Sequence, residues 1–216
     1  MRCLRNHLVP WLARCVLLAT VSGFGQAAPD PWLIPAGGQK GLLNAHTSRE
    51  DLVRVFGAAN VVDQDVDVGE GETQPGTVLF PGDSKRAIEI LWKDPSKKTA
   101  PAFLTVRGLA SRWKTAHNIS LGTSLKELER INGRPFHLTG FRWDYPGTIT
   151  SWENGVLATE LVAGRGRILL RLDSPPRSDV TEKEDLEVGG DRDFSSHHPV
   201  MQKINPRVYE MTWELP

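Results

Sequence analysis

Residues 47–57 read TSREDLVRVFG and residues 123–133 read TSLKELERING, so one short pattern occurs twice, 76 residues apart (47 to 123). The Thr, Ser, Leu, Arg and Gly are identical at five of the eleven places. At two further places the chemistry is kept, with Asp51 matched by Glu127 and Val55 matched by Ile131. A gapless internal match of this kind is typical of a repeated structural unit, so the chain is expected to contain two of them.

Each copy predicts one short helix whose start and end are both encoded. Ser48 and Ser124 are the expected N-caps, and the acid three residues later completes a capping box in each copy. Gly57 and Gly133 supply the left-handed residue that ends the helix. Helices of about eight or nine residues are too short to be stable alone. Each is therefore expected to lie on a sheet.

The first 27 residues are predicted to be a signal peptide. Arg2, Arg5 and Arg14 form a basic leader, residues 15–21 are apolar, and small residues suited to cleavage follow. An uncleaved interfacial anchor is the alternative. No other stretch is long and apolar enough to span a bilayer, so no membrane insertion is expected after signal removal. The predicted location is the periplasm or the extracellular medium.

Composition narrows the classes of function after export. Both cysteines, Cys3 and Cys15, lie in the leader, so the exported chain has no disulfide, thiolate nucleophile or cysteine metal ligand. The whole chain has 26 basic and 26 acidic residues, and the leader removes three arginines and no acid. The resulting charge of −3 argues against nucleic acid as a partner.

Alternating apolar residues and turn residues predict the rest of the fold. Asn154-Gly155 is expected to form a type I′ hairpin turn, and the last strand is expected to join a sheet, with an edge position as one option. The predicted strands are 61–68, 77–80, 87–92, 102–107, 136–145, 149–152, 156–162, 168–172 and 207–215.

The expected fold class is α+β. Two tandem helix-plus-antiparallel-meander units would form a curved sheet with short helices on one face. The expected segments are a first unit at 28–115, a second at 116–172, a charged linker or loop at 173–192, and a C-terminal short helix and strand at 193–216.

The candidate binding residues are aromatic. Phe141, Trp143 and Tyr145 share one face of the predicted strand 136–145, and Arg142 and Trp152 are expected to join them. Trp, Tyr and Arg dominate interface hot spots because they bury large areas at low entropic cost. An exposed binding surface and a core beneath a helix both remain open for these rings.

Two groups of residues resemble metal ligands. Asp63, Asp65 and Asp67 alternate along a strand, but the glycine and glutamate of a calcium loop are missing. An acidic, solvated sheet face is the favoured interpretation. The second group is expected to be a loop leading into a helix and consists of Asp191, Asp193, His197 and His198. No metal and no cofactor are therefore expected.

The sequence contains no nucleophile elbow, metalloprotease helix or phosphate loop. A secreted hydrolase is the alternative function, with paired carboxylates in a sheet-lined cleft. Its candidate residues are Glu70, Glu72, Asp144 and Glu153. A structural envelope component without a discrete site is a third option.

The stretch from Gly122-Thr123-Ser124 to Gly133-Arg134-Pro135, on tandem helix-first units, resembles the beta-lactamase inhibitor protein family. It is also similar to small outer-membrane-assembly lipoproteins. The first copy departs from the pattern, with Ala58-Ala59 where the proline would stand. The exported chain also lacks the disulfides of those inhibitors and the lipidated cysteine of those lipoproteins.

The resemblance implies a layered α/β domain whose curved sheet presents aromatic residues to a protein partner. Neither beta-lactamase inhibition nor outer-membrane assembly transfers with it. The expected function is therefore an exported, non-enzymatic binding protein of the cell envelope that engages a protein or a glycan.

Overall fold

A computed structural model describes residues 32–33, 43–160, 166–174 and 179–216. The chain is α+β, with a six-stranded antiparallel sheet, a three-stranded sheet and five short α-helices among these residues. The predicted fold class is confirmed. The predicted signal peptide lies outside the described residues.

The first repeated pattern forms helix α1 (Arg49–Phe56), followed by a 3₁₀ turn (Ala58–Asn60). The Ser48 hydroxyl accepts a hydrogen bond from the Asp51 amide at 3.1 Å, and the Asp51 carboxylate accepts one from the Ser48 amide at 3.0 Å. The predicted capping box is therefore present. Gly57 follows the helix at a φ of +84°, which favours glycine.

The second pattern forms helix α2 (Leu125–Asn132). The Ser124 hydroxyl caps it by accepting from the Glu127 amide at 3.3 Å, and Gly133 ends it in the left-handed conformation. The reciprocal bond from the acid is present in α1 and not in α2. The Ser124 backbone instead bridges to Arg207. Both predicted helices are confirmed. The fourth residue of each, Leu52 in α1 and Leu128 in α2, is almost completely buried.

The six-stranded sheet runs in the order β1-β2-β3-β4-β9-β7. Its first four strands form a meander, and its other two come from later in the chain. The strands are β1 (Val61–Gly69), β2 (Glu72–Leu79), β3 (Ile88–Asp94), β4 (Thr99–Arg107), β7 (Arg167–Asp173) and β9 (Arg207–Glu214). β9 pairs with both β4 and β7, so it does not take the edge position that was one option.

The three-stranded sheet has the order β6-β5-β8, with β5 (His137–Thr139), β6 (Ile149–Ser151) and β8 (Asp193–Ser195). The remaining helices are α3 (Val156–Glu160), α4 (Glu182–Glu187) and α5 (Pro199–Ile204), and α4 contacts α5. The predicted C-terminal short helix is confirmed as α5, and His198 caps it.

Three predicted elements are wrong. The strand predicted over 136–145 ends after Thr139. The strand predicted over 156–162 is helix α3 in its described part, and residues 161–162 lie outside the described residues. The segment 173–192, expected to be a linker or loop, contains α4 and so contributes regular structure next to the core.

The two faces of the large sheet differ in chemistry. One face packs under the helices with Leu79, Ile90, Leu104, Met211 and Trp213, all buried. This continuous apolar layer is the main source of stability in a chain whose described part has no cysteine.

The opposite face of the sheet carries a row of charges across β3, β4, β9 and β7. Arg107 donates to Glu210 at 2.8 Å and also pairs with Glu89, while Arg171 lies 3.4 Å from Glu210. Burial opposes the charge on Arg107, but the adjacent Glu210 and Glu89 outweigh it and raise the pKa of the guanidinium. The basic and acidic side chains of this row pair with one another, and their ion pairs link the four strands.

Candidate functional site

The five predicted binding residues do not share one strand face. Phe141 and Trp152 are buried in the core, only 4% and 7% exposed. Trp143 and Tyr145 are half-buried, and Arg142 is exposed. The prediction of a common aromatic stripe is therefore wrong, because the chain from Phe141 to Gly147 is a bent loop.

At the start of the bend, Gly140 lies in close contact with the segment after α4. A Cβ on this residue would lie 2.6 Å from the carbonyl oxygens of Gly190 and Val188, so only glycine fits. Two residues later, Arg142 has a φ of +63°, in the left-handed region that few non-glycine residues adopt. The strand therefore stops, and the following side chains point in different directions.

Backbone hydrogen bonds fasten this loop to the segment after α4. The Phe141 amide donates to Val188 at 2.9 Å, and the Phe141 carbonyl accepts from the Gly190 amide at 2.7 Å. The Gly140 amide donates to the Arg192 carbonyl at 2.9 Å. These three bonds hold the loop and the α4 segment in a fixed relation.

Between the loop and α4 lies a groove of about 550 Å³. Phe141, Arg142, Trp143 and Pro146 contribute from the loop, so three of the five predicted binding residues line it. Its size falls within the range of pockets that take small ligands or short peptide segments. We call this feature the loop–α4 groove.

The remaining lining comes from the end of β7 and from the α4 segment. Those residues are Asp173, Ser174, Val180, Thr181, Glu182 and Asp185. Arg142 forms an ion pair with Asp185 that links the loop directly to α4. The Arg142 side chain is 55% exposed and that of Asp185 is 21% exposed, so the arginine stays within reach of a ligand.

The Trp143 indole is held in place from within its own loop. Its Nε1 donates to the Gly140 carbonyl at 3.0 Å, and its ring meets that of Tyr145 edge-on at 5.7 Å. Because the nitrogen is already satisfied, the indole offers a ligand its apolar ring rather than a donor.

Tyr145 turns away from the groove towards the charged face of the large sheet. Its ring lies 4.8 Å from the Arg171 guanidinium carbon and next to Gly69. Its hydrogen bond to Glu70 raises the pKa of the phenol. Tyr145 therefore braces the loop against the β1–β2 hairpin.

Trp152 also has a structural role. It packs against Phe136 with ring centroids 5.1 Å apart, and its carbonyl accepts a hydrogen bond from Asn132 at 3.0 Å. Burial leaves it no face for a ligand. The binding role predicted for Trp152 thus has no surface on which to act.

The described lining of the groove is acidic. Among those residues, Asp173, Glu182 and Asp185 set three carboxylates against the guanidinium of Arg142, an excess of two negative charges. The adjoining Glu184 is fixed by Lys203 at 2.7 Å, and this bond, with those from Thr181, lowers its pKa to about 2. That ion pair anchors α4 on α5.

The residues that resemble metal ligands form hydrogen bonds and ion pairs with other side chains. Asp63 contacts Arg49, Lys98 and Thr77, so the strand is not a purely solvated acidic face. Val61 and Val66 are buried on opposite sides of β1, and Val62 is 38% exposed, so neither face of this strand is uniformly buried or uniformly acidic.

The residues of the second group, at 191–198, contact separate partners and do not converge on one point. Asp193 pairs with His137 Nδ1 at 2.5 Å, and His198 lies 3.4 Å from Glu187. Within the described ranges, no three His, Cys, Asp or Glu side chains converge as a metal site.

The four carboxylates of the hydrolase alternative are exposed and lie on or beside turns. Glu70 and Asp144 both act on Tyr145, whereas Glu153 accepts a hydrogen bond from Ser151 at 2.6 Å. Exposed carboxylates of this kind lack the burial that usually tunes one of a pair as a general acid.

The acidic side of the groove is absent from the sequence-based prediction, which treats 173–192 as a linker or loop. The sequence does contain a signal for α4, since Thr181 and Glu184 have the spacing of a capping box. The Thr181 hydroxyl accepts from the Glu184 amide at 3.2 Å, and the Glu184 carboxylate accepts from the Thr181 amide at 2.9 Å.

Comparison with protein-family models, curated proteins and solved structures gave no match to this chain. Within the part of the chain that the structure describes, no helix has both the length and the apolar run needed to cross a bilayer. The geometry of the groove therefore carries the functional argument.

Proposed function

We propose that this chain is an exported, non-enzymatic binding protein of the cell envelope that engages a protein partner through the loop–α4 groove. The observation that carries the proposal is the groove itself, about 550 Å³ in volume and bordered by Phe141, Arg142 and Trp143.

The groove is built in advance of any ligand. Backbone hydrogen bonds join Phe141 to Val188 and Gly190, and the Arg142–Asp185 ion pair joins the same two walls. A site that is already ordered loses less conformational entropy on binding. This arrangement favours recognition of a short segment of a folded or extended protein.

The residues at the groove suit a protein ligand. Trp143 is half-buried with a fixed ring, and Arg142 is exposed at 55% with its backbone locked at positive φ. Tryptophan and arginine are the types that contribute most at protein interfaces. Phe141 lies beneath them and supports the loop from the core.

Export is supported by the basic and apolar leader pattern of the first 27 residues. The resemblance of residues 122–135 to the beta-lactamase inhibitor protein family supports recognition of a protein through aromatic residues. Both arguments come from the sequence and are independent of the groove.

Replacement of Trp143 by alanine tests the proposal. The partner is captured from an envelope extract on immobilised protein, identified, and titrated against both forms by calorimetry. Trp143→Ala is expected to weaken binding by about 2 kcal/mol or more, because it removes the central ring of the groove.

Leu109→Ala is the matched control, since Leu109 is 71% exposed and does not line the groove. It should bind the partner like the wild type, and both variants should melt close to the wild-type temperature. Equal binding by wild type and Trp143→Ala, with both folded, would contradict the proposal.

A further inference from the structure

We infer that the ligand of the loop–α4 groove is an extended peptide segment that places a lysine or arginine side chain between Trp143 and the carboxylates of Asp173 and Glu182. The inference rests on the proposed function and specifies the chemistry of its partner.

The charge of the lining favours a basic ligand. Asp173 ends β7 and Glu182 begins α4, and both are exposed at the groove. Asp185 is already neutralised by Arg142. Among the described lining residues, Asp173 and Glu182 then remain without a cation, and a ligand that covers them is favoured if it supplies one, because burying a carboxylate without a cation is costly.

The apolar residues of the lining favour a basic side chain with a long aliphatic stem. Trp143, Pro146 and Val180 are half-buried and line the same groove as the carboxylates. Lysine and arginine have long aliphatic stems that pack on apolar surface while their charged ends reach carboxylates. A cation near the face of an indole gains further electrostatic attraction.

The rim of the groove extends the same preference. Helix α4 has the sequence EKEDLE, in which Asp185 pairs with Arg142 and Glu184 with Lys203, so Glu182 is the acid of this helix that faces a ligand at the groove. An acidic rim attracts a basic segment and repels an acidic one, and this effect acts mainly on the rate and specificity of association. A purely apolar ligand would leave the carboxylates uncompensated, and an acidic ligand would be repelled.

The test uses a displayed library of short random linear peptides selected on the purified wild-type protein. Selected peptides are synthesised and titrated against three variants, Trp143→Ala, the groove variant Asp173→Asn/Glu182→Gln, and the control Asp65→Asn/Glu72→Gln. The control changes two exposed acids of β1 and β2, outside the groove, by the same total charge.

Peptides that depend on Trp143 are expected to be enriched in lysine and arginine. They should bind the groove variant roughly fivefold more weakly than the wild type, since each exposed ion pair contributes modestly. The control variant should match the wild type, and added salt should weaken the wild-type affinity.

Trp143-dependent peptides without basic enrichment, which bind the groove variant as well as the wild type, would overturn this inference and leave the proposed function standing. Failure to select any peptide whose binding depends on Trp143 would count against both. The two failures are therefore distinguishable.

Discussion

The two helix-first regions begin alike and then diverge. Helices α1 and α2 share a serine cap, a terminal glycine and a fully buried leucine, Leu52 or Leu128. After α1 the chain forms a meander of four strands, whereas after α2 it forms two three-residue strands, a bent loop and helix α3. A shared helical start therefore does not determine the structure of the rest of the region.

The residue at the end of each helix accounts for part of the divergence. Phe56 is half-buried and packs edge-on against Phe80, with centroids 5.2 Å apart. Its counterpart, 76 residues on, is Asn132, which is 1% exposed. Asn132 donates to the Trp152 and Arg134 carbonyls, and its side-chain oxygen accepts from the Leu157 amide at 3.1 Å, within the first turn of α3.

The same offset aligns Asp65 of β1 with Phe141 of the bent loop. Asp65 is exposed on a strand that continues to Gly69, whereas Phe141 is buried where the strand has already ended. The first region thus presents an edge strand, and the second presents the loop–α4 groove. The proposed binding surface lies where the second copy departs from the first.

The largest effect is expected from Asn132→Ala. This change leaves the buried Leu157 amide without its partner, which costs about 1–3 kcal/mol, and it removes the hydrogen bonds to the Trp152 and Arg134 carbonyls, worth about 1 kcal/mol each. Urea unfolding should show a loss of about 4 kcal/mol. Phe56→Ala, at the equivalent place, should cost about 2 kcal/mol, since that ring is only half-buried. Equal losses would show that the two helix ends have the same role.

Leu52→Ala and Leu128→Ala should have nearly equal effects. Both leucines are almost completely buried, at 1% and 0% exposure, and each deletion leaves a cavity under its helix. A loss of about 3 kcal/mol is expected for each in urea unfolding. A difference of more than about 2 kcal/mol between the two losses would show that the helices are not equivalent, because Leu→Ala losses at comparable buried sites usually differ by less than that.

The smallest effect concerns Glu184, which belongs to α4 and has no counterpart in the first region. Its pKa, lowered to about 2 by Lys203 and Thr181, means that its contribution to stability is present above pH 4.5 and is lost as pH falls through about 2. Carboxyl NMR titration of the wild type should give that pKa.

In Lys203→Met the pKa of Glu184 should move up towards its ordinary 4.5, because the cation is the largest cause of the shift. Lys126→Met is a suitable control, since Lys126 is exposed on α2. An unchanged titration in Lys203→Met would mean that Lys203 does not hold α4 on α5.

Local signals predicted the elements that depend on nearby residues. Ser48, Ser124, Gly57 and Gly133 defined both helices, and alternation defined β1 to β4, β7 and β9. These features succeed because caps and strand periodicity are set within a few residues. The α+β class followed from them.

The errors lie where distant residues decide the backbone. Gly140 must be glycine because carbonyls 48 and 50 residues later, those of Val188 and Gly190, approach it. Asn154 has the positive φ expected of an Asn-Gly turn, but Asn132 accepts a bond from Leu157 and the chain enters a helix instead of a strand. Neither contact is visible in a local window.

Within the candidate site, the sequence identified Arg142 and Trp143 by residue type and missed the wall that faces them. Thr181 and Glu184 carried a capping pattern, but the acidic composition of 173–192 favoured a solvated interpretation. An acidic composition indicates only that a segment is exposed on average, whereas a capping box marks the residue at which a helix begins. The capping box therefore predicted the structure of this segment better than its composition did.

The position of β9 has a consequence for the order of folding. β4 and β7 both pair with β9 and not with each other, so the large sheet stays split into two pieces until residues 207–214 have been synthesised. Contacts of such long sequence separation form slowly, because the chain must first close large loops. The pairing of β9 therefore couples the meander β1–β4 to β7, and a chain truncated before residue 207 would lack the strand that both pieces share.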